Sequence, residues 1–328
     1  MGVTRRSSLS HSMGMSSGAM KDGVAGSVNT LFAQTARQLG FVYSAIKKRA
    51  MPNPGFSNSL SVAESRYIQS IHETSELQNP DRLVGRFLSL LRRWHCMGLS
   101  QSQVAHLRTK PFYYYLNART RYYDKVFLDA IADDAHYIIN VGCGLDTRAY
   151  RFQPVLSQKG VKVLECDQLQ AIQVKQGKAM QVGDCGHVTY VSLDLNDPTW
   201  PDFEQWLIKN HTARVLVMME GVSPYVNVET FSRFLRLLAG NLSRGSRVAY
   251  DFKLRGVADE FGRVGRTQRP FRLGKGRAEI TAFHEQLGFR LEHFERSADL
   301  TVRFLATLEQ PIHPLFLEDA LIQLEVTH

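Results

Sequence analysis

One segment, residues 138–148, constrains the fold of this 328-residue chain more than any other. Its apolar run ends at Val141 in a glycine turn, Gly142-Cys143-Gly144, and a helix-compatible stretch follows. This succession predicts an open α/β sheet with a nucleotide-sized cleft at the carboxyl end of the strand. The two glycines would let a ligand approach the backbone, because neither carries a Cβ atom.

The residues after the turn distinguish it from a dinucleotide-binding fingerprint. Thr147 stands where the third glycine of the GxGxxG pattern would be, and an acid, Asp146, lies beside the turn. A carboxylate repels a pyrophosphate and attracts a ligand that carries an ammonium or sulfonium group. The turn therefore favours a cationic ligand, with an ordinary strand-to-helix turn as the alternative interpretation.

Acidic residues stand at the ends of further apolar runs. Four runs of strand length follow the turn, three of them ending at an acid: residues 161–166 before Asp167, 188–193 before Asp194, 214–219 before Glu220, and 247–252. The carboxyl ends of parallel strands meet at one sheet edge, so these acids would line one cleft. The spacing from Gly142 to Asp167 is close to the roughly 20 residues that separate a glycine turn from a ribose-binding acid. For any single acid, a helix N-cap is the alternative interpretation.

Several stretches of the chain, taken together, resemble a known family. They are residues 140–152 (NVGCGLDTRAYRF), Glu165–Asp167, Asp194-Leu195, Glu220–Tyr225, Ala63–Arg66, Asn79–Leu83, Ala118–Asp124 and Pro270–Gly274. These stretches look like the S-adenosylmethionine (SAM)-dependent methyltransferases of the leucine carboxyl methyltransferase family, over about residues 60–308. The resemblance implies an α/β fold, namely the Rossmann-like sheet of a class I methyltransferase preceded by an N-terminal helical lid. It also implies SAM as cofactor, and the sulfonium of SAM agrees with the acid beside the turn.

The resemblance assigns cofactor contacts to particular residues. The implied set is Arg119, Gly142, Gly144, Asp146, Asp167, Asp194, Leu195 and Glu220. The two glycines would admit the methionine part of SAM, and Asp167 would hold the ribose hydroxyls. Asp194 and Leu195 would frame the adenine, with the acid accepting from its exocyclic amine.

Other implied roles concern the reacting groups. Arg119 would pair with the carboxylate of SAM, since a planar guanidinium suits a bidentate contact, and Arg121 is the fallback for this role. Glu220 would face the ligand ammonium or the reaction chamber. Tyr225 would line the substrate side. Glu220 and Tyr225 are therefore the candidate catalytic residues.

The acceptor chemistry is constrained by the absence of an evident base. A carboxylate acceptor needs no general base at neutral pH, because its pKa is near 4, whereas a phenol or alcohol does. No histidine lies in the motifs, and the nearest in sequence are His136 and His187. The sequence therefore favours O-methylation of a small-molecule carboxylate. The alternatives are carboxyl methylation of a protein C-terminus and a catalytically inactive SAM-binding partner protein.

The net charge of +9 is concentrated in two segments. Residues 1–55 contain seven Lys or Arg and one acid, residues 253–277 contain eight and two, and the remainder carries −3. The second segment predicts a small, anionic substrate, or one carried by an acidic carrier protein. An RNA methyltransferase is suggested only by this charge. Nucleic acid is disfavoured because the chain has no recognised RNA-binding motif and no aromatic platform among these cations.

Composition, periodicity and the resemblance together predict four segments. They are a basic N-terminal extension (1–55), helical segments that the resemblance implies are a lid (56–135), an alternating α/β core that it implies is the methyltransferase core (136–310), and a C-terminal tail (311–328). Within the extension, residues 1–27 are predicted to be disordered and residues 28–49 to be helix-compatible. Residues 289–294 and 300–308 are predicted as the two strands that close the sheet.

Other sequence features bear on the location of the protein, on metal binding and on membrane insertion. The four cysteines show no CxxC spacing, which predicts reduced thiols and a cytoplasmic location. The sequence suggests no metal site. No apolar run approaches the roughly 18 residues that span a membrane.

Overall fold

The computed structural model describes residues 54–183, 185–256, 270–305 and 312–327. The predicted disordered and helix-compatible parts of the N-terminal extension lie outside the described residues, as does most of the second basic segment. All of the described ranges belong to one compact unit, which starts at Met51.

Eight strands form a single sheet in this unit. They are β1 (Tyr137–Val141), β2 (Lys162–Asp167), β3 (Val188–Ser192), β4 (Val215–Met219), β5 (Arg247–Leu254), β6 (Arg272–Leu273), β7 (Phe289–Arg296) and β8 (Asp319–Val326). Their order is β3-β2-β1-β4-β5-β8-β7, with β6 paired to β5 outside this path. β8 pairs antiparallel with β5 and β7, and every other pairing among the described strands is parallel. The predicted α/β fold with a mostly parallel, Rossmann-like sheet is confirmed.

Two separate apolar clusters cover the two faces of the sheet, because successive strand side chains point to opposite faces. Ile138 and Val163 belong to one cluster, whereas Ile139 and Leu164 belong to the other. β4 is buried at all five of its positions. A strand covered on both faces reads as a continuous apolar run, and this is why the central strands could be predicted from sequence.

Helices pack on both faces. Between residue 54 and β1, the described residues form four α-helices and one 3-10 helix: Pro54–His72, Leu83–Arg86 (3-10), Leu90–Met97, Gln101–Arg108 and Pro111–Ala132. The later helices are Arg148–Arg151, Gln153–Lys159, Leu169–Ala179, Pro201–Lys209, Ser223–Tyr225 (3-10), Val228–Asn241, Arg277–Glu285 and Ser297–Leu305.

The longest helix of the N-terminal segment, Pro111–Ala132, packs deepest into the molecule. Pro111 lies in its first turn, where proline is tolerated because the first amides of a helix have no intrahelical partner. Tyr115, Tyr123 and Phe127 are fully buried in the first apolar cluster. The helix is therefore held in place by its buried side chains.

One strand prediction is wrong. Residues 300–308 were expected to form a strand, but Ser297–Leu305 is a helix that buries Leu300, Thr301 and Leu305, a helical rather than an alternating period. The antiparallel strand is instead β8, which lies within the segment predicted as a tail. β8 is buried at six of its eight positions, and buried and half-buried positions alternate only over its last five residues, 322–326.

Candidate active site

The glycine turn after β1 forms one wall of the candidate site. Gly142 and Gly144 have φ angles of 67° and 41°, in the left-handed region that favours glycine. A Cβ at Gly142 would collide with the Val222 side chain, and a Cβ at Gly144 would lie 2.8 Å from the Ser59 hydroxyl. Neighbouring residues therefore leave no room for a side chain at either position.

A cavity of about 360 Å3 opens at this turn. It is lined by every residue predicted for cofactor binding or catalysis: Arg119, Gly142, Gly144, Asp146, Asp167, Asp194, Leu195, Glu220 and Tyr225. The N-terminal part of helix Pro54–His72 lines the same cavity through Asn58, Ser59 and Ser61. The volume lies in the range of small-molecule pockets.

The cavity has two chemically different parts. The first, here called the turn half, is lined by residues that follow β1, β2 and β3: Gly142, Gly144, Asp167, Asp194 and Leu195. The second, here called the charged half, is lined by residues from β4, β5, β8 and the N-terminal helices: Arg119, Glu220, Tyr225, Asp251, Lys253 and Asp319.

Asp167 ends β2 and faces the glycine turn. Its carboxylate accepts the backbone N–H groups of Gly144 and Gln168, both at 2.8 Å. Burial raises the pKa of Asp167, although these two hydrogen bonds oppose the shift. Each carboxylate oxygen has a further lone pair, which suits the predicted contact with ribose hydroxyls.

Asp194 lies after β3 at the far end of the turn half. One of its oxygens accepts the side-chain amide of Gln168 at 2.7 Å, and the other accepts the backbone N–H of Asn196 at 2.9 Å. The adjacent Leu195 is buried. An apolar side chain beside a fixed acceptor suits the predicted contact with an adenine ring.

Glu220 lies between two arginines in the charged half. Its Oε1 accepts from Arg119 Nε at 3.1 Å, and its Oε2 accepts from Arg148 Nη1 at 2.8 Å. Arg119 also donates through Nη1 to Asp251 Oδ2 at 3.3 Å. Because a guanidinium has five N–H donors, Arg119 keeps donors for a ligand carboxylate.

These contacts belong to a chain of buried ion pairs that joins the N-terminal helices to the core. The pairs are Arg66–Asp81, Asp81–Arg151, Arg151–Asp124, Asp124–Arg148, Arg148–Asp146, Arg148–Glu220, Glu220–Arg119 and Arg119–Asp251. Four arginines against five carboxylates give the chain a formal charge of −1. A buried excess of negative charge favours a cationic ligand beside it.

Asp146 lines the cavity, but its charge is already compensated. Its oxygens accept from Arg148 Nη1 at 2.5 Å, from the backbone N–H of Arg148 at 2.7 Å and from Asn140 Nδ2 at 3.2 Å. Burial opposes ionisation, yet the neighbouring cations, Arg148 first among them, hold the pKa of Asp146 below its usual range. Its clearest action is therefore to fix Arg148 beside the cavity.

Asp251 is a cavity residue that the sequence did not single out. It is 1% exposed and accepts from the Tyr123 hydroxyl at 3.0 Å and from the Gly221 N–H at 2.6 Å. Burial raises the pKa of Asp251 to about 6, with Arg119 opposing the shift and Asp319 reinforcing it. A carboxylate with this pKa is a proton acceptor near neutral pH.

Lys253 and Asp319 form a second pair that the sequence did not indicate. The antiparallel register of β5 and β8 places them side by side, and Lys253 Nζ lies 2.7 Å from Asp319 Oδ1. Glu318 lies 3.1 Å from the same ammonium, which also lies 4.5 Å from the centre of the Phe316 ring. Lys253 is 3% exposed, so its charge is held within the protein.

Tyr225 ends the 3-10 helix that follows β4. Its hydroxyl accepts from Asn58 Nδ2 at 3.2 Å and so joins the N-terminal helices to the core across the cavity. Burial raises the pKa of Tyr225, which keeps the phenol protonated and able to donate to a ligand.

A signal for Asp251 and Lys253 was present in the sequence. They occupy alternate positions in β5, a strand that is otherwise apolar between Val248 and Leu254. Charged residues two positions apart in a strand lie on the same face of the sheet. Burying a charged side chain costs free energy unless the charge is paired, so two such residues in a buried strand indicate a site. The partner Asp319 gave no such signal, because its strand was not predicted.

Three residues considered from the sequence do not line the cavity. His136 accepts the Arg214 N–H at 3.1 Å, and the His187 ring lies 2.7 Å from the Ala149 carbonyl oxygen. Arg121 donates to two backbone carbonyls at 2.7 and 2.9 Å. Of the two arginines weighed for the SAM carboxylate, Arg119 is thus the one at the cavity.

Metal and membrane features were sought in the described ranges. They contain no cluster of His, Cys, Asp or Glu that could hold a metal ion. No helix within them is both long and apolar enough to cross a membrane. The four cysteines, all within the described ranges, form no disulfide. Burial raises the pKa of the Cys143 and Cys166 thiols, which makes them poor nucleophiles.

Comparison with known proteins identifies the family. The family described as Leucine carboxyl methyltransferase matches residues 59–239, more than half of the chain. A Mycolicibacterium smegmatis protein assigned as an S-adenosyl-L-methionine-dependent methyltransferase is 30% identical over 153 residues, which cover 46% of this chain and 48% of that relative. A Streptomyces avermitilis protein with the same assignment is 22% identical over 220 residues, covering 66% of this chain and 75% of that relative.

Among solved structures, the magnesium protoporphyrin IX methyltransferase of Synechocystis PCC 6803 with bound SAH aligns with 70% of this chain and 89% of its own. The sequence identity is 15% and the TM-score 0.43. The family match covers the glycine turn and the acids at the ends of β2, β3 and β4. This chain therefore belongs to the leucine carboxyl methyltransferase family of SAM-dependent methyltransferases.

Proposed function

We propose that the protein is a SAM-dependent O-methyltransferase that acts on a small molecule. One observation carries this proposal: a single cavity contains both the turn half, whose groups suit an adenosine, and the charged half, whose groups suit an acceptor. The Glu220–Arg119 pair lies in the charged half of this cavity. A cofactor anchored in the first half would therefore present its methyl group to the second.

The residues of the cavity would work mainly by positioning. When bound, SAM supplies a methyl group that its sulfonium has already activated. Asp167 would hold the ribose, Arg119 the cofactor carboxylate and Glu220 the cofactor ammonium. Holding the methyl donor and the acceptor in line can lower the activation free energy of transfer by several kcal/mol. The entropy cost of bringing the two reactants together is then met when they bind.

We propose a hydroxyl as the acceptor group. The expectation of a carboxylate acceptor depended on the lack of an evident base, and Asp251 is a buried carboxylate at the cavity with a pKa of about 6. Three carboxylates of the charged half, Glu220, Asp251 and Asp319, would also repel an anion. Asp251 would accept the hydroxyl proton as the oxygen–methyl bond forms.

A carboxylate acceptor, as favoured by the sequence, is the second candidate. The cations Arg119 and Lys253 line the charged half and would attract a carboxylate, including one presented by an acidic carrier protein.

The pH dependence of kcat/KM at saturating SAM separates the two candidates. A hydroxyl acceptor with Asp251 as base gives an acid limb with an apparent pKa near 6. A carboxylate acceptor gives a profile that stays flat down to about pH 5.

The proposal is tested by calorimetric titration with SAM, followed by a screen of small hydroxyl and carboxyl compounds with a labelled methyl donor. Arg119→Gln should weaken SAM binding by on the order of tenfold or more, because a charge-assisted hydrogen bond is lost. Arg121→Gln is the matched control, since Arg121 lies on the same helix and not at the cavity. SAM binding without turnover of any acceptor would favour an inactive SAM-binding partner protein, and transfer to a protein C-terminus would favour the protein-modifying alternative.

A further inference from the structure

The helix Leu90–Met97 exposes an apolar surface that the cavity does not explain. Leu90 is 74% exposed, Trp94 57%, Leu91 46% and Met97 45%. These four residues, here called the apolar ridge, lie on one eight-residue helix. Large apolar side chains that cluster on the surface of a protein mark an interaction site more often than isolated ones do.

The ridge occupies one side of its helix. At 100° per residue its four side chains span an arc of about 120°, with Arg93 and His95 on either side of it. The opposite side faces the protein: Cys96 is buried, and Arg92 pairs with Glu64 at 2.5 Å. The helix is thus attached by its polar and small residues and presents its apolar residues outward, the reverse of an ordinary surface helix.

The segment that carries the ridge is rich in cations. Residues 82–110 contain six Lys or Arg and no Asp or Glu. Two of these cations, Arg92 and Arg108, pair with acids of helix Pro54–His72 and of the residue after it. Arg82 precedes the 3-10 helix Leu83–Arg86 and Arg86 ends it; both are exposed and form no ion pair with any described residue. The segment therefore combines exposed apolar groups with arginines whose charge no described acid balances.

We propose that this surface docks on an anionic lipid surface, with the apolar ridge in the headgroup region and the arginines against the phosphates. Leucine and tryptophan on one side of a helix, with cations beside them, is the pattern of helices that lie at a membrane interface. Each cation near an anionic bilayer adds to binding, and tryptophan prefers the headgroup level.

Two other occupants fit the observations less well. A second copy of the chain would bring two unbalanced cationic segments face to face, which costs free energy. A protein partner usually needs 20 to 30 residues on each side, whereas the ridge has four protruding side chains. A lipid surface accepts a small protruding ridge and supplies the negative charge.

Docking would place the membrane next to a helix that contacts one wall of the cavity. Helix Leu90–Met97 packs on helix Pro54–His72 through the Arg92–Glu64 pair, and Asn58, Ser59, Ser61 and Val62 of the latter helix line the cavity. The inference is independent of the methyl acceptor, since it depends on the outer side of these helices alone.

Vesicle flotation of the full chain tests the inference. The probe is phosphatidylcholine vesicles with about 30% phosphatidylglycerol, compared with phosphatidylcholine alone. We expect salt-sensitive binding to the anionic vesicles. The variant Leu90→Ser/Trp94→Ser should lose on the order of tenfold to a hundredfold in partition coefficient. Met180→Ser/Ile208→Ser, at exposed apolar positions outside the ridge, should bind as the wild type does.

Tryptophan fluorescence locates the contact. The chain has three tryptophans, and Trp200 is buried while Trp206 is partly buried. Anionic vesicles should shift the wild-type emission to the blue, and Trp94→Phe should keep binding but lose the shift. Equal vesicle binding by wild type and Leu90→Ser/Trp94→Ser would overturn the proposal. So would a dimer in sedimentation analysis that this double variant dissolves, because the ridge would then be an interface between copies of the chain.

Discussion

The two halves of the cavity hold charge in different ways. In the turn half, Asp167 accepts the backbone N–H groups of Gly144 and Gln168, and Asp194 accepts the backbone N–H of Asn196 and the side-chain amide of Gln168. In the charged half, Glu220 and Asp251 are held by Arg119, which comes from a helix more than 100 residues earlier in the chain. Uncharged N–H donors fix the first set, and a charged side chain from a distant helix fixes the second.

This difference between the two halves predicts different effects of substitutions on cofactor binding and on protein stability. A carboxylate held by backbone amides can be removed without exposing an opposite charge, so its loss should affect the ligand more than the fold. Removal of one member of a buried ion-pair chain leaves its partners uncompensated. We therefore expect substitutions in the turn half to change cofactor affinity, and substitutions in the charged half to change the free energy of unfolding as well.

The largest effect is expected at Arg148, which is fully buried and contacts Asp124, Asp146 and Glu220. Arg148→Met should reduce the free energy of unfolding by about 3 to 5 kcal/mol, because Asp146 loses its one ion pair among the described residues, and Asp124 and Glu220 each lose one of two. Urea denaturation measures this change. Arg290→Met is the control: its ion pairs are exposed, and the urea midpoint should not move. Equal midpoints for Arg148→Met and the wild type would contradict the structural role of the ion-pair chain.

Asp167→Ala tests the turn half. It should raise the Kd for SAM by about 30- to 150-fold, equivalent to about 2 to 3 kcal/mol, while the urea midpoint changes little. Asp202→Ala, at an exposed acid in the first turn of helix Pro201–Lys209, should leave both quantities unchanged. Unaltered SAM affinity in Asp167→Ala would remove the ribose role from this residue.

Asp251 gives the charged half a dependence on pH. Its folded pKa of about 6 exceeds the ordinary value of 3.8, so the folded protein binds this proton more tightly than the unfolded chain does. The contribution of Asp251 to stability therefore falls as pH rises from about 4 to about 6, by about 2 kcal/mol at most. Comparing the slope of unfolding free energy against pH in wild type and Asp251→Asn measures this, and identical slopes would refute it.

The smallest effect is expected at Tyr225, which bridges the two sides of the cavity through Asn58. Tyr225→Phe should lower kcat/KM for the acceptor by about threefold to tenfold, since one neutral hydrogen bond is lost, and leave SAM affinity unchanged. A changed Kd for SAM with unchanged kcat/KM would move Tyr225 from the acceptor side to the cofactor side.

The same contrast explains what the sequence could predict. Asp167, Asp194 and Glu220 each follow an apolar run, so their position at the sheet edge follows from strand periodicity alone. Arg119 could be placed only through the family resemblance, because nothing in a helical segment of the sequence indicates a partner about 100 residues away.

The rest of the charged half depended on pairings that periodicity does not contain. Asp319 reaches the cavity because β8 inserts between β5 and β7. The first four residues of β8 are all buried, so an alternating pattern is confined to residues 322–326, and the prediction assigned this short segment to a tail. The helix Ser297–Leu305, by contrast, shows a helical burial period that the strand prediction overlooked.

The position of β8 also sets an order of events during synthesis. β7 precedes β8 in the chain but reaches the rest of the sheet only through it, since β8 is its sole neighbour among the described strands. A nascent chain that has emerged as far as β7 therefore has six parallel strands, β1 to β6, ready to pair and one strand that must wait. Asp319 is the last of the cavity residues to be translated, so the ribosome delivers the cofactor-binding groups first and completes the acceptor side last.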